Sequence, residues 1–144
     1  MTMAPNPQSA TEPPPDHPPG MKGRLRIFIV ENHEDTRFLL GLLLEQLGHT
    51  VFSAATLKEG LAQIPAAECD VLISDVGLPD GNGWDLLKKL GTQRPKYAIA
   101  MSGFGMSSDR DRSRVVGYRH HLLKPVEPNQ LEALLGEAAA EIQG

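Results

Sequence analysis

The sequence predicts an α/β protein built on an open parallel sheet, and three observations carry that prediction. Short, nearly continuous aliphatic runs, such as Leu25-Arg26-Ile27-Phe28-Ile29-Val30 and Val71-Leu72-Ile73, read as strands covered on both faces. Between them lie longer segments whose apolar residues return at helical spacing. The alternation of strand and helix repeats five times, and each parallel pair of strands needs a crossover that a helix supplies. The expected architecture is therefore a five-stranded parallel sheet with helices on both faces. A chain of 144 residues is too short for a closed eight-stranded barrel, and no internal repeat points to a solenoid.

The elements run in order along the chain. Leu25 to Val30 opens the sheet, and Glu34 and Asp35 fall where a helix over residues 35–47 starts; acids there suit the exposed N–H groups, so they read as caps. Gly48 lies just beyond that helix and stops it. Thr50 to Ala54 is a weaker strand, followed by a helix over 57–64 and the strand Val71 to Ile73. A helix over 83–90 ends at Gly91. Tyr97 to Met101 and His120 to Leu123 are again weaker strands, separated by a helix over 108–116. The last helix, 128–142, has Pro128 in its first turn and apolar residues at 131, 134, 135, 138, 139 and 142.

Seven of the twelve prolines fall in residues 1–20, a stretch without an aromatic residue, Lys or Arg, so residues 1–22 read as a disordered proline-rich tail. The remaining length suits one domain. With 14 Lys plus Arg against 18 Asp plus Glu, the net charge is −4, which disfavours bulk attraction to nucleic acid or anionic membranes. Asp109-Arg110-Asp111-Arg112-Ser113-Arg114 alternates in sign as a solvated helix face does. The single cysteine, Cys69, has no disulfide or zinc partner in sequence and reads as an inert small side chain in a reducing cytoplasm. The longest apolar stretch, Phe38 to Leu44, is far short of a membrane span. Nineteen residues follow Pro125, room for one helix, so no separate output domain is expected.

In open parallel sheets the ligand site lies at the carboxyl ends of the strands, where strand order reverses. The strands here end on Glu31-Asn32, on Ser74-Asp75, on Ser102-Gly103 and on Lys124-Pro125, delivering two carboxylates, an amide, a hydroxyl and an ammonium to one edge. Carboxylate and other oxygen ligands suit Mg²⁺. A hydroxyl, a lysine and glycine N–H groups suit the oxygens of a transferring phosphoryl group, with Asp75 as the nucleophile that becomes an aspartyl phosphate. His33 is a weak candidate metal ligand, because Mg²⁺ prefers oxygen. His120 and His121 are neighbours on a strand and face opposite sides, so they do not chelate one ion together. Gly81 and Gly83 read as turn-shaping residues.

These residues resemble the receiver domains of two-component response regulators. The likeness is carried by Ile29-Val30-Glu31-Asn32, by Ile73 through Gly83, by Met101-Ser102-Gly103 and by His121-Leu122-Leu123-Lys124-Pro125, and it spans residues 24–143 in order. It implies a receiver domain over 23–144 with the flavodoxin-like (βα)5 fold and strand order 2-1-3-4-5. It implies Asp75 as phosphoacceptor and Mg²⁺ bound by Glu31, Asn32, Asp75 and the backbone carbonyl of Gly77. Ser102 and Lys124 would contact the phosphoryl group, and Ser102 with His121 would form the switch. Two departures stand out: the family usually has an aspartate where Asn32 stands and an aromatic residue where His121 stands.

The implied function is a signalling receiver that takes a phosphoryl group from a histidine kinase or histidine phosphotransfer protein in a phosphorelay. It would then alter a protein-binding surface formed by its last two helices and last strand, with no nucleic acid or membrane as partner. It would catalyse only its own phosphorylation and dephosphorylation. The alternative is a phosphate-independent interaction module, which Asn32 makes credible. An aspartate-nucleophile phosphatase is disfavoured because Gly77 stands where that family has its second aspartate. A flavin site is disfavoured because Glu31, Glu34 and Asp35 would repel a phosphate. The run from His121 to Val126 resembles receivers fused to hybrid sensor kinases.

Overall fold

The computed structural model describes residues 24–103 and 107–143. The proline-rich segment read over residues 1–22 lies outside them. Five parallel strands form one sheet: β1 (Arg26–Val30), β2 (Thr50–Ala54), β3 (Val71–Asp75), β4 (Tyr97–Ser102) and β5 (His120–Leu123). Their spatial order is β2-β1-β3-β4-β5, the order the family resemblance implies. The helices between and after them are α1 (Glu34–Gln46), α2 (Leu57–Ala67), α3 (Gly83–Leu90), α4 (Ser107–Val116) and α5 (Pro128–Gln143).

The near-continuous apolar strands are explained by two cores, one on each face. Side chains alternate along a strand, so Ile27, Ile29, Val71, Ile73, Ile99 and Met101 pack against Leu40 and Leu44 of α1 and Leu131, Leu135 and Ala138 of α5. Their neighbours Phe28, Val30, Leu72, Ala98 and Ala100 pack on the other face with Ile64 of α2 and Trp84, Leu86 and Leu87 of α3. All six expected apolar positions of α5 pack against the first of these cores, four buried and Leu134 and Ile142 partly so.

Several element ends shift by one or two residues from the expected bounds, β3 running on to Asp75 and β4 to Ser102, and two helix ends bear on the reading. Helix α2 runs through Pro65 to Ala67 instead of stopping at residue 64, and ends at Glu68 in the left-handed conformation with φ 51°. Pro65 lacks the N–H that would bond the Leu61 carbonyl and its ring crowds that oxygen, but only two helical residues follow it, so the disruption is confined to the end of the helix. Helix α1 begins at Glu34, with His33 in the N-cap position. Glu34 and Asp35 are thus first-turn acids favoured by the helix dipole, not caps as expected. Phe38 and Leu39 on the same helix are 67% and 62% exposed.

Candidate functional site

The chain leaves β1 toward β2 on one side and returns to β3 on the other, so the order reverses between β1 and β3. Their carboxyl ends flank a crevice there. Glu31 directly follows β1 and Asp75 is the last residue of β3, so the crevice is walled by two carboxylates. Glu31 is fully buried and Asp75 nearly so. Such a pair needs compensation, because unpaired buried charge is expensive. It comes from Lys124 at the end of β5, whose Nζ donates to Glu31 Oε1 at 2.8 Å and to Asp75 Oδ2 at 2.7 Å. Burial acts to lower the pKa of this ammonium, but its hydrogen bonds to Asp75 and Glu31 prevail and hold it above the ordinary lysine value.

The remaining carboxylate oxygens are held by backbone. The Gly77 N–H donates to Asp75 Oδ1 at 3.1 Å, and the His33 N–H donates to Glu31 Oε2 at 2.9 Å. Arg37 Nη1 donates to the Glu31 carbonyl at 2.8 Å. Gly83 keeps the strand end in place for a reason beyond turn shape: a Cβ there would lie 2.6 Å from the Asp75 carbonyl oxygen. Its own carbonyl accepts from the buried Tyr118 hydroxyl at 2.6 Å. Burial raises the pKa of that phenol, which keeps it a neutral donor.

Ser102 ends β4, and its carbonyl accepts the Lys124 N–H at 2.8 Å, which ties the two strand ends together. Its Oγ lies 2.7 Å from His121 Nε2. The other ring nitrogen, Nδ1, lies 3.0 Å from the Oγ of Ser113 on α4, and Trp84 Nε1 of α3 donates to that same Oγ at 2.9 Å. Sequence reasoning placed His121 beside Ser102 but missed Ser113 and Trp84. Ser113 sits in a run of charged residues, and nothing local marks it as the one that turns inward. His120 faces the other side, as strand alternation requires, where Nε2 lies 2.7 Å from Glu137 Oε1 and Tyr97 donates to the same carboxylate.

Of the expected site residues, the fold brings Glu31, Asp75 and Lys124 into direct contact and places Ser102 and His121 beside them. Asn32 and Gly77 are exposed at the rim. His33 uses its ring on Thr36 Oγ1, 3.1 Å away. No cluster of three metal-binding His, Cys, Asp or Glu residues occurs among the described residues. The reading of α4 as a solvated face holds for its charges: Arg114 pairs with Asp111 at 2.7 Å, and Arg112 lies 4.0 Å over the Trp84 ring. Cys69 is half-buried, and burial pushes its thiol up to about 11, so it is held in the protonated form at neutral pH. No helix among the described residues is long and apolar enough to cross a membrane.

Known proteins share this arrangement of strands. The family described as the response regulator receiver domain matches residues 27–136. An uncharacterised 14.6 kDa protein of Leptolyngbya boryana is 32% identical over 116 residues, covering 78% of this chain and 88% of that protein. The KDP operon transcriptional regulatory protein KdpE of Escherichia coli K12 is 33% identical over 109 residues, 76% of this chain but 48% of the regulator. The chain thus spans most of one relative and about half of the other. A response regulator receiver domain protein (CheY-like) from Methanospirillum hungatei superposes with TM-score 0.72 at 31% identity, covering 81% of this chain and 97% of that one.

Proposed function

The chain belongs to the response regulator receiver family, and on that premise we propose that Asp75 accepts a phosphoryl group from a phosphohistidine of a histidine kinase or phosphotransfer protein. The observation that carries the reading is one ammonium, Lys124 Nζ, held between two buried carboxylates at the reversal of strand order. In the reaction a carboxylate oxygen of Asp75 attacks phosphorus. A P–O bond forms as the P–N bond breaks, and the electron pair leaves on the imidazole nitrogen. The Gly77 N–H orients one Asp75 oxygen. Lys124, already on the other, follows the charge that builds on the phosphoryl oxygens, and the Ser102 hydroxyl donates to them.

Mg²⁺ fits the donors present. Two carboxylates against one ammonium leave excess negative charge at the crevice, and hard oxygen ligands suit this ion. Glu31 and Asp75, with the Asn32 amide oxygen and the Gly77 carbonyl at the rim, would hold it, and the ion would supply charge neutralisation for the incoming phosphoryl group. The protein turns over no separate substrate in this reading. Its output is a change in the surface of α4, β5 and α5, which reaches the site through Ser102 and His121.

Incubation with a small phosphodonor and Mg²⁺ should add one acid-stable, base-labile phosphoryl group, and Asp75→Asn should abolish it. Labelling that persists in Asp75→Asn would remove the nucleophile assignment. A wild type that neither labels nor binds Mg²⁺ would favour the phosphate-independent interaction module.

A further inference from the structure

Ser113 is 1% exposed, and a buried hydroxyl must place its hydrogen. Among the described residues its Oγ meets only Trp84 Nε1 and His121 Nδ1. An indole N–H only donates, so the Ser113 oxygen accepts from Trp84, and its own hydrogen has one acceptor left, the imidazole Nδ1. A neutral imidazole that accepts at Nδ1 carries its hydrogen on Nε2, the nitrogen that faces Ser102. We infer that the relay Trp84–Ser113–His121–Ser102 holds His121 as the neutral Nε2–H tautomer, and that His121, so fixed, positions the Ser102 hydroxyl for the phosphoryl group.

The tautomer matters because a hydroxyl can accept one hydrogen while donating its own. With His121 donating to the Ser102 oxygen, the Ser102 hydrogen is not spent on the ring and can be directed at an anionic oxygen. The opposite tautomer would draw that hydrogen onto Nε2 and turn lone pairs toward the phosphoryl group, which repels them. Ser113 and Trp84 never touch the reacting atoms; they act through the ring. The charged groups that bear on His121 are Asp109 and Arg110 of α4. This inference rests on the reading of Ser102 as a phosphoryl contact.

Side-chain ¹⁵N NMR of unphosphorylated wild type should show hydrogen on His121 Nε2 and none on Nδ1. Ser113→Ala should mix the two tautomers and slow phosphorylation of Asp75 by a small phosphodonor about fivefold, the worth of one hydrogen bond. Ser113→Thr, which keeps the hydroxyl, should restore both. In a His121→Gln background, whose amide does not tautomerise, Ser113→Ala should no longer change the rate, a readout that stands even if threonine packs badly. A wild-type ring carrying hydrogen on Nδ1 would overturn the proposal. So would slower phosphorylation in Ser113→Ala with the tautomer unchanged, since Ser113 would then be merely structural. Absence of labelling in the wild type would defeat the phosphoacceptor reading and the positioning role with it. An Nδ1–H ring in a protein that does label would defeat the positioning role alone.

Discussion

On one side of the crevice two carboxylates share one ammonium; on the other, two hydroxyls share one imidazole. The first arrangement is held by charge and survives small changes in angle, because Coulomb attraction is not strongly directional. Its weakness is that removing the ammonium strands two carboxylates in a buried place, whereas removing one carboxylate leaves an ion pair. The second is held by the direction of each hydrogen and carries no net charge. Losing one member there costs one or two hydrogen bonds and can leave a neutral donor such as the Trp84 N–H unpaired, but exposes no ion. The ionic half, once Mg²⁺ offset its excess negative charge, would suit the proposed transfer of a phosphoryl group to Asp75. The neutral half, which joins β4 and β5 to α4, would suit passing its arrival on to the proposed output surface of α4, β5 and α5.

The contrast predicts unequal losses of stability. Lys124→Ala strands Glu31 and Asp75 together, and urea unfolding should show a loss of about 3 kcal/mol. Ser113→Ala, which removes two hydrogen bonds and leaves the buried Trp84 N–H unpaired, should lose less, about 2 kcal/mol, by the same measurement. Equal losses would break the distinction between the halves.

The rim of the ionic half should respond to charge in a graded way. Asn32→Asp adds a carboxylate beside Glu31, and the gain in attraction is partly offset by the cost of dehydrating it. Mg²⁺ should bind about tenfold tighter by calorimetry. No gain in affinity would mean that Asn32 is not a ligand.

The smallest effect concerns pH, where the halves should fail at opposite ends. Lys124 has a raised folded pKa, so its contribution is present below the unfolded value of 10.5 and is lost as pH rises through the folded value. His121 has a lowered folded pKa, caused first by burial and then by Arg110, with Asp109 opposing. The unfolded chain then binds the proton more readily, so stability from this group is lost as pH falls below 6.5. Urea midpoints across pH should lose the alkaline slope in Lys124→Met and part of the acidic slope in His121→Gln. An acidic slope unchanged in His121→Gln would show that the ring does not titrate against folding.

Much of the fold and the site was legible in residue order. Two-sided aliphatic runs mark central strands because side chains alternate every residue, and the residues just past each run must reach the same sheet edge. That reasoning located Glu31, Asp75, Ser102 and Lys124 and put His120 and His121 on opposite faces. It failed on α2, which runs two residues past Pro65, because a proline whose lost bond and ring crowding fall at the Leu61 carbonyl disturbs the helix without ending it at the preceding residue. It also read Glu34 and Asp35 as caps, since the signal for a helix start is good only to a residue or so.

By itself, then, the sequence determined the sheet, its sidedness and the chemical groups at its carboxyl edge, all of which stem from local spacing. Only the tertiary structure decided how those groups are paired. Lys124 is 93 residues from Glu31 in sequence, and Trp84 is 29 from Ser113. No local pattern marks Ser113, among charged neighbours, as the buried hydroxyl that orients His121. A hydrogen bond depends on where two distant side chains meet and in which direction each hydrogen points, and packing fixes both.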